Sequence, residues 1–343
     1  MNIVEALPLL TQRKHLQEAE MQSIIIDIMS GNIADAQMAG FLIALAMKGE
    51  TVDEITGAAK AMRQLAAPVT LSAPHLVDTC GTGGSGINLF NVSTCSAFVA
   101  AAAGATVCKH GNRFISSKSG SADLLEAAGA QIQLTPEQVA ECTTQTQVGF
   151  MFAPLFHSAM KHAIGVRKSL GVRTIFNILG PLTNPANVPN QVLGVFERNL
   201  LNPMAEVLLR LNSQHVLIVH SQEGLCEISS AGPTLVTELN HHEICEYEID
   251  PTLFGLKPVP LDNLLVQNTE DSLAIVKATL AGQGDGVNIV ALNAGAALYA
   301  AGVAQDFGSG VELALQAIHN GTAKGKFIEF IAYTKKITET AKS

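Results

Sequence analysis

The chain has 343 residues, 48% of them hydrophobic but only 5% aromatic, with no Trp and a formal net charge of −9. That length exceeds the usual single-domain range, so two domains, or one large α/β domain with a helical appendage, are expected around a core of Ala, Leu, Ile and Val. The acidic balance argues against a general nucleic-acid binder, which carries a basic face, and leaves room for a small polyanion held in a local basic pocket.

Before Pro68 the pattern is helical. Met21, Ile24, Ile25, Ile28 and Met29 recur at helix spacing, Gly31-Asn32 breaks the run, and residues 36–47 begin another helix. Thr51-Val52-Asp53-Glu54 then has the form of a capping box. From Leu76 the texture changes to short apolar strands, glycine turns and Ala-rich helices, as at residues 105–108 and 215–220. Such alternation predicts a largely parallel sheet covered by helices. Residues 287–301 and 311–318 read as helices separated by a glycine-bearing loop. The six cysteines, Cys80, Cys95, Cys108, Cys142, Cys226 and Cys245, show no CxxC spacing and several lie in apolar stretches, which points to buried reduced thiols. No signal-like leader opens the sequence, and the Ala-rich run at 97–107 is too short to cross a bilayer, so a soluble cytoplasmic protein is expected.

Two segments carry chemistry. Residues 78–94, DTCGTGGSGINLFNVST, run from a strand end into Gly81, Gly83, Gly84 and Gly86 and then a hydroxyl cluster. Glycines that adopt φ > 0 expose backbone N–H groups, and Asn91, Ser93 and Thr94 are suited to cap the helix that follows, so the segment suits phosphate. Residues 109–120 hold Lys109, His110, Arg113 and Lys118 among serines and glycines without one acidic residue. Alone, this stretch reads more readily as a solvated basic loop; beside the glycine segment it points to a polyanion site.

The ordered segments GTGGSG and NVST (81–86, 91–94), KHGNR and SSKSGS (109–121), and RKSLGVRTIFN with LGPLTNP (167–177, 179–185) together resemble the anthranilate phosphoribosyltransferases of tryptophan biosynthesis. The resemblance covers nearly the whole chain. It implies a class-II-like nucleoside phosphorylase and phosphoribosyltransferase architecture. A small helical domain would be built from residues 1–70 plus about 162–185, and a larger α/β domain with a mostly parallel central sheet from 71–161 plus 186–343. It also implies substrates in the cleft between the domains and a homodimer formed through the helical one.

The reaction so implied uses Mg²⁺ and phosphoribosyl pyrophosphate: the anthranilate amine displaces pyrophosphate from the anomeric carbon, with no covalent enzyme nucleophile. Carried over position by position, the resemblance puts Gly81, Gly84, Ser85, Leu89, Asn91, Val92, Ser93, Thr94, Lys109, Ser117 and Ser121 on the phosphoribosyl donor. It puts Gly81, His110, Asn112, His157, Arg167 and Pro181 on anthranilate. For the metal it implies Ser93, Glu227 and the position of Cys226.

Three positions depart from the family pattern. Ser85 stands where the glycine motif has Asp, Leu89 where Thr is common, and Cys226 where an Asp-Glu pair is expected, although a soft thiol is a poor ligand for Mg²⁺. Structural readings stay open beside the functional ones: Arg167 and Arg173 at helix ends, His157 as a hydrogen-bonded core histidine, Pro181 and Pro185 as helix terminators. Another aromatic amine acceptor, or a noncatalytic ligand- or nucleic-acid-binding homologue, are the alternative functions.

Overall fold

The computed structural model describes residues 1–113 and 118–340. Helices α1 (Ile3–Thr11), α2 (Glu18–Met29), α3 (Asp35–Lys48) and α4 (Val52–Leu65) come first. The capping box at α4 forms as expected: Glu54 N–H donates to Thr51 Oγ1 (3.3 Å) and Thr51 N–H to Glu54 Oε2 (2.8 Å). The same carboxylate, fully buried, accepts from Leu16 N–H and from Lys48 Nζ, so one acid closes α3, α4 and the turn before α2. Helices α2 and α4 touch because Gly57 has no side chain; a Cβ there would lie 2.2 Å from Glu18 O.

The remaining elements, in order, are β1 (Leu76–Gly81), α5 (Val92–Ala102), β2 (Thr106–Gly111), α6 (Ser121–Ala127), α7 (Pro136–Thr146), β3 (Val148–Phe152), α8 (Ala153–Phe156), α9 (Lys161–Leu170) and α10 (Phe176–Leu179). After them follow β4 (Asn190–Gly194), α11 (Leu201–Arg210), β5 (His215–Ser221), β6 (Thr234–Asn240), β7 (Glu243–Ile249), α12 (Thr269–Leu280), α13 (Gly286–Ala300), α14 (Phe307–His319) and α15 (Thr322–Thr340). The sheet order is β3-β2-β1-β4-β5-β6-β7, parallel through the first five strands and antiparallel at β6 and β7. After β1 the chain builds β2 and β3 to one side and returns as β4 on the other. The carboxyl ends of β1 and β4 therefore flank the place where strand order reverses, where a crevice opens in such sheets.

Both faces of the sheet are covered, and alternate residues serve different cores. Leu217 and Val219 of β5 join the apolar cluster of α5, α13 and α15, whereas Val216 and Ile218 join that of α1–α4, α9 and α11. Helix α11 packs on α4 and on β5 and β6, and α9 packs on α2 and α3. Arg63, at the end of α4, donates from Nε to Leu182 O (2.7 Å) and from a terminal nitrogen to Leu211 O (3.5 Å). No helix among the described residues is long and apolar enough to cross a membrane. The six thiols are free; Cys95, Cys108, Cys142 and Cys226 are buried as expected, but Cys245, on the outer strand β7, is exposed.

Candidate active site

At the end of β1, Gly83, Gly84 and Gly86 take φ of 65°, 80° and 78°, whereas Gly81 does not adopt a left-handed conformation. Gly81 serves close approach instead, since a Cβ there would lie 3.2 Å from Gly194 O in the paired strand β4. Thr82 N–H donates to Gly194 O (2.8 Å), fixing where the loop leaves the sheet. The substituted Ser85 accepts Ile87 N–H on its own hydroxyl (3.3 Å). Leu89 forms an isolated antiparallel bridge with Leu265 and packs on the apolar core.

The expected side-chain cap on α5 is absent. Asn91 occupies the cap position without bonding the first turn. Its Oδ1 accepts from Ser119 Oγ (2.9 Å) and Ser272 Oγ (2.7 Å), and its Nδ2 donates to Ser119 O (3.1 Å). Asn91 thus pins the glycine segment to the basic segment and to α12. Val92 is buried core, and Thr94 is buried with its hydroxyl unpartnered. Ser93 instead presents its hydroxyl to Lys109 Nζ, 3.2 Å away.

Lys109, at the end of β2, is 4% exposed and also donates to Thr79 O. Burial pushes its pKa down, opposed by the charges of Asp78 and Glu227. The basic segment is less cationic than its sequence: Arg113 is neutralised by Glu126 (2.8 Å) and Asp123 (3.4 Å), acids supplied by α6. Ser121 opens α6 and donates to Asn112 O (3.3 Å), and Asn112 Oδ1 accepts Arg113 N–H (2.7 Å). Ser117 lies outside the described residues.

On the other side of the strand ends, the rings of His110 and His157 lie 5.0 Å apart. Burial, reinforced by the neighbouring ring, lowers His110 to about 3, and burial lowers His157 to about 4, so both are neutral near pH 7. His110 Nδ1 faces Gly180 O at 3.3 Å, which assigns the proton to Nδ1 and leaves Nε2 as an acceptor. Both Nε2 atoms are buried without a partner. Pro181 follows in the same short turn, its carbonyl accepting from Gln191 Nε2 (2.8 Å). The turn is anchored to the sheet by Asn184, which donates to the buried Asp78 (2.8 Å) and to Cys108 O (2.9 Å). Arg167, in the last turn of α9, lies 5.3 Å from the Phe176 ring centroid, and no carboxylate pairs with it among the described residues.

Ser93, Glu227 and Cys226 line one small cavity together with Thr79, Gly194 and Asn293. Burial raises Glu227 to about 7, with Lys109 pulling the other way. Cys226 is held as a neutral thiol, raised to about 12 by burial and by Glu227, its Sγ facing Gly83 O at 3.7 Å. No cluster of three or more His, Cys, Asp or Glu suited to a metal occurs among the described residues. One carboxylate and one hydroxyl are hard oxygen donors of the kind that would hold Mg²⁺. A protonated sulfur at Cys226 does not fit.

Sequence reasoning left Arg173 at a helix end. The structure places it beyond α9, donating to Gly84 O (2.5 Å) and lying 4.1 Å from the Phe196 ring centroid. Its place within the third quoted motif was the available signal. Ser272 was missed altogether, since nothing near it in sequence carries chemistry.

This arrangement, a helical bundle on a sheet whose strand ends face a phosphate-receptive loop, coincides with two family models. Residues 4–66 match the helical bundle domain of a glycosyl transferase family, and residues 73–324 match its a/b domain. Among curated relatives, the anthranilate phosphoribosyltransferase of Ectopseudomonas mendocina is 54% identical over 340 residues, 97% of either chain. That of Cellvibrio japonicus is 55% identical, covering 98% of this chain and 99% of its own. The chain belongs to the anthranilate phosphoribosyltransferase family. Among solved structures, the enzyme from Thermus thermophilus superposes with a TM-score of 0.91 at 41% identity, covering 96% of this chain and 99% of its own. The Saccharomyces cerevisiae enzyme in complex with PRPP and Mg superposes with a TM-score of 0.88 at 28% identity, covering 97% and 98%.

Proposed function

We propose that the chain transfers the phosphoribosyl group of phosphoribosyl pyrophosphate to anthranilate, giving N-(5-phosphoribosyl)anthranilate and pyrophosphate in tryptophan biosynthesis. The observation that carries this reading is the opposition of two unlike sites across the strand ends. One side offers exposed glycine backbone, Lys109 and Ser93. The other offers two neutral imidazoles whose Nε2 atoms lack partners, and Arg167, which has no carboxylate partner among the described residues, is the candidate to join them.

The chemistry follows from the charges. As the C–N bond to the amine forms and the C–O bond to pyrophosphate breaks, negative charge grows on the leaving group, where Lys109 and the loop N–H groups are placed to act. Arg167 is suited to take the anthranilate carboxylate bidentately, and imidazole Nε2 atoms to accept N–H from its amine. Glu227 and Ser93 would hold Mg²⁺, which when bound neutralises pyrophosphate charge. Residues 1–70 with 162–185 form the helical part of this reading, 71–161 with 186–343 the α/β part. The exposed Val4 and Met47, on α1 and α3, support a homodimer through the former. Nothing in the site favours another acceptor or a noncatalytic role.

The test is an assay of the purified protein with phosphoribosyl pyrophosphate, Mg²⁺ and anthranilate, following anthranilate loss and the phosphoribosyl product. Transfer is expected. No product across a metal series, with folded protein and a working control enzyme, rejects the reading.

A further inference from the structure

We propose that Arg173 is a positioning residue of the donor site, one that turns the peptides of the glycine loop so that their N–H groups face the diphosphate. The loop has three glycines at positive φ, so its backbone has more conformations available than any other part of the site, and a preorganised anion nest needs something to select among them. The selection acts on the carbonyls. Gly84 O accepts from Arg173 (2.5 Å), and Gly83 O accepts from Thr82 Oγ1 (3.3 Å) and faces the Cys226 thiol (3.7 Å). In a trans peptide the carbonyl and the following N–H point in opposite directions, so holding Gly83 O and Gly84 O against the protein turns the N–H groups of Gly84 and Ser85 the other way. Among the described residues those two N–H groups have no protein acceptor.

Arg173 is itself held on more than one side. Its guanidinium stacks on Phe196, whose N–H donates to Thr82 Oγ1 (3.1 Å), and its other terminal nitrogen meets Glu197 (3.2 Å). The Glu197 pair is half exposed and adds little, while the charge-assisted bond to the Gly84 carbonyl sets the loop. A planar fork can stack and bond in two directions at once; an ammonium cannot. Arg173 also sits six residues after Arg167, across the Gly171 turn that ends α9, so the segment that carries the carboxylate-binding candidate also holds the phosphate loop.

The inference rests on the transferase reading only where it names the donor; the placing of the loop N–H groups toward a diphosphate does not. Calorimetry of wild type, Arg173→Ala and Arg173→Lys with pyrophosphate, with phosphoribosyl pyrophosphate and with anthranilate separates the two. Removing the charged bond is expected to weaken both phosphate ligands about tenfold or more, with Lys restoring only a minor part and anthranilate affinity held within about twofold. Added ethylguanidine should recover part of the loss in Arg173→Ala. Glu197→Gln distinguishes positioning from direct charge: as a positioner Arg173 keeps its Gly84 bond and affinity barely moves, whereas a cation acting on phosphate directly would bind tighter once its acidic neighbour is gone. If Arg173→Ala folds poorly, Arg173→Lys and Phe196→Leu carry the same test. Unchanged phosphate affinity in a folded Arg173 variant, or equal loss of donor and acceptor binding with a lowered Tm, overturns the proposal. Wild-type protein that binds pyrophosphate in this manner yet transfers nothing would overturn the function and leave the positioning role standing.

Discussion

Replacing Cys226 by Asp would restore a second hard ligand beside Glu227, and the structure sets both the cost and the gain. The same pocket raises Glu227 from an ordinary 4.5 to about 7, so ionising a carboxylate there costs about 3 kcal/mol. A second carboxylate next to it carries at least that cost, and it faces Gly83 O, where the wild-type thiol can donate. Without a cation, Cys226→Asp should therefore lose about 3 kcal/mol near pH 7, a fall in Tm of roughly 5 °C for a chain of this size. With Mg²⁺ and pyrophosphate the ion offsets that cost, so Tm should recover, and the Mg²⁺ concentration giving half-maximal transfer should drop about tenfold or more. Cys226→Ser, neutral and able to donate to Gly83 O, should stay close to wild type in both measurements. Paired Mg²⁺ titrations of transfer rate and of Tm check this. A stably folded Asp variant whose midpoint does not move to lower Mg²⁺ refutes the idea that this position faces the metal.

Arg167→Ala should raise the KM for anthranilate about tenfold or more while leaving that for phosphoribosyl pyrophosphate within about twofold, and Arg167→Lys should rescue it in part; steady-state kinetics with each substrate varied decide it. His110 and His157, neutral in the fold with pKa values of about 3 and about 4, hold their stability contribution above the unfolded value near 6.5 and lose it as the pH falls below that value. Between pH 8 and pH 5 each ring should cost about 2 kcal/mol of unfolding free energy, a slope that urea titrations should find missing in a His110→Gln, His157→Gln double variant. Gly194→Ala would place a Cβ 1.6 Å from Cys226 O, so a loss of more than about 3 kcal/mol, or no folded protein, is expected from thermal denaturation.

What the sequence made legible was local. The capping box at Thr51, the helix at 287–301 and the turn from β1 into the glycine segment depend on residues within a few positions of one another, and each forms where expected, whereas the helix read over 311–318 begins earlier, at Phe307. The parallel part of the sheet was legible from its alternation with helices; the antiparallel pair β6 and β7 was not, because strand direction is set by pairing and not by composition. The site was harder to read where its contacts span the chain. Asn91 looked like a cap because capping residues and hydrogen-bonding hubs are the same residue types, and its partner Ser272 is 181 positions away. Arg113 counted as a cation because its neutralising acids, Asp123 and Glu126, lie outside the basic segment, 10 and 13 positions on in α6. The pKa values of Glu227 and the two histidines come from burial, which no short motif encodes.

The apolar cluster that runs from α1–α4 through α11 onto Leu193, Val216 and Ile218 of the sheet has a consequence for how the molecule can be divided. A fragment ending at residue 66 would leave the α2 and α4 faces wet, and the remainder would expose α11, with Arg63 no longer tying down Leu182 and Leu211. Neither piece carries a finished interior. The bundle is built in common with the sheet rather than hung beside it. Its rotation against the sheet would have to shear α4 across α11, which a close-packed interior resists. Changes introduced in the segments at the strand ends therefore leave this shared interior intact.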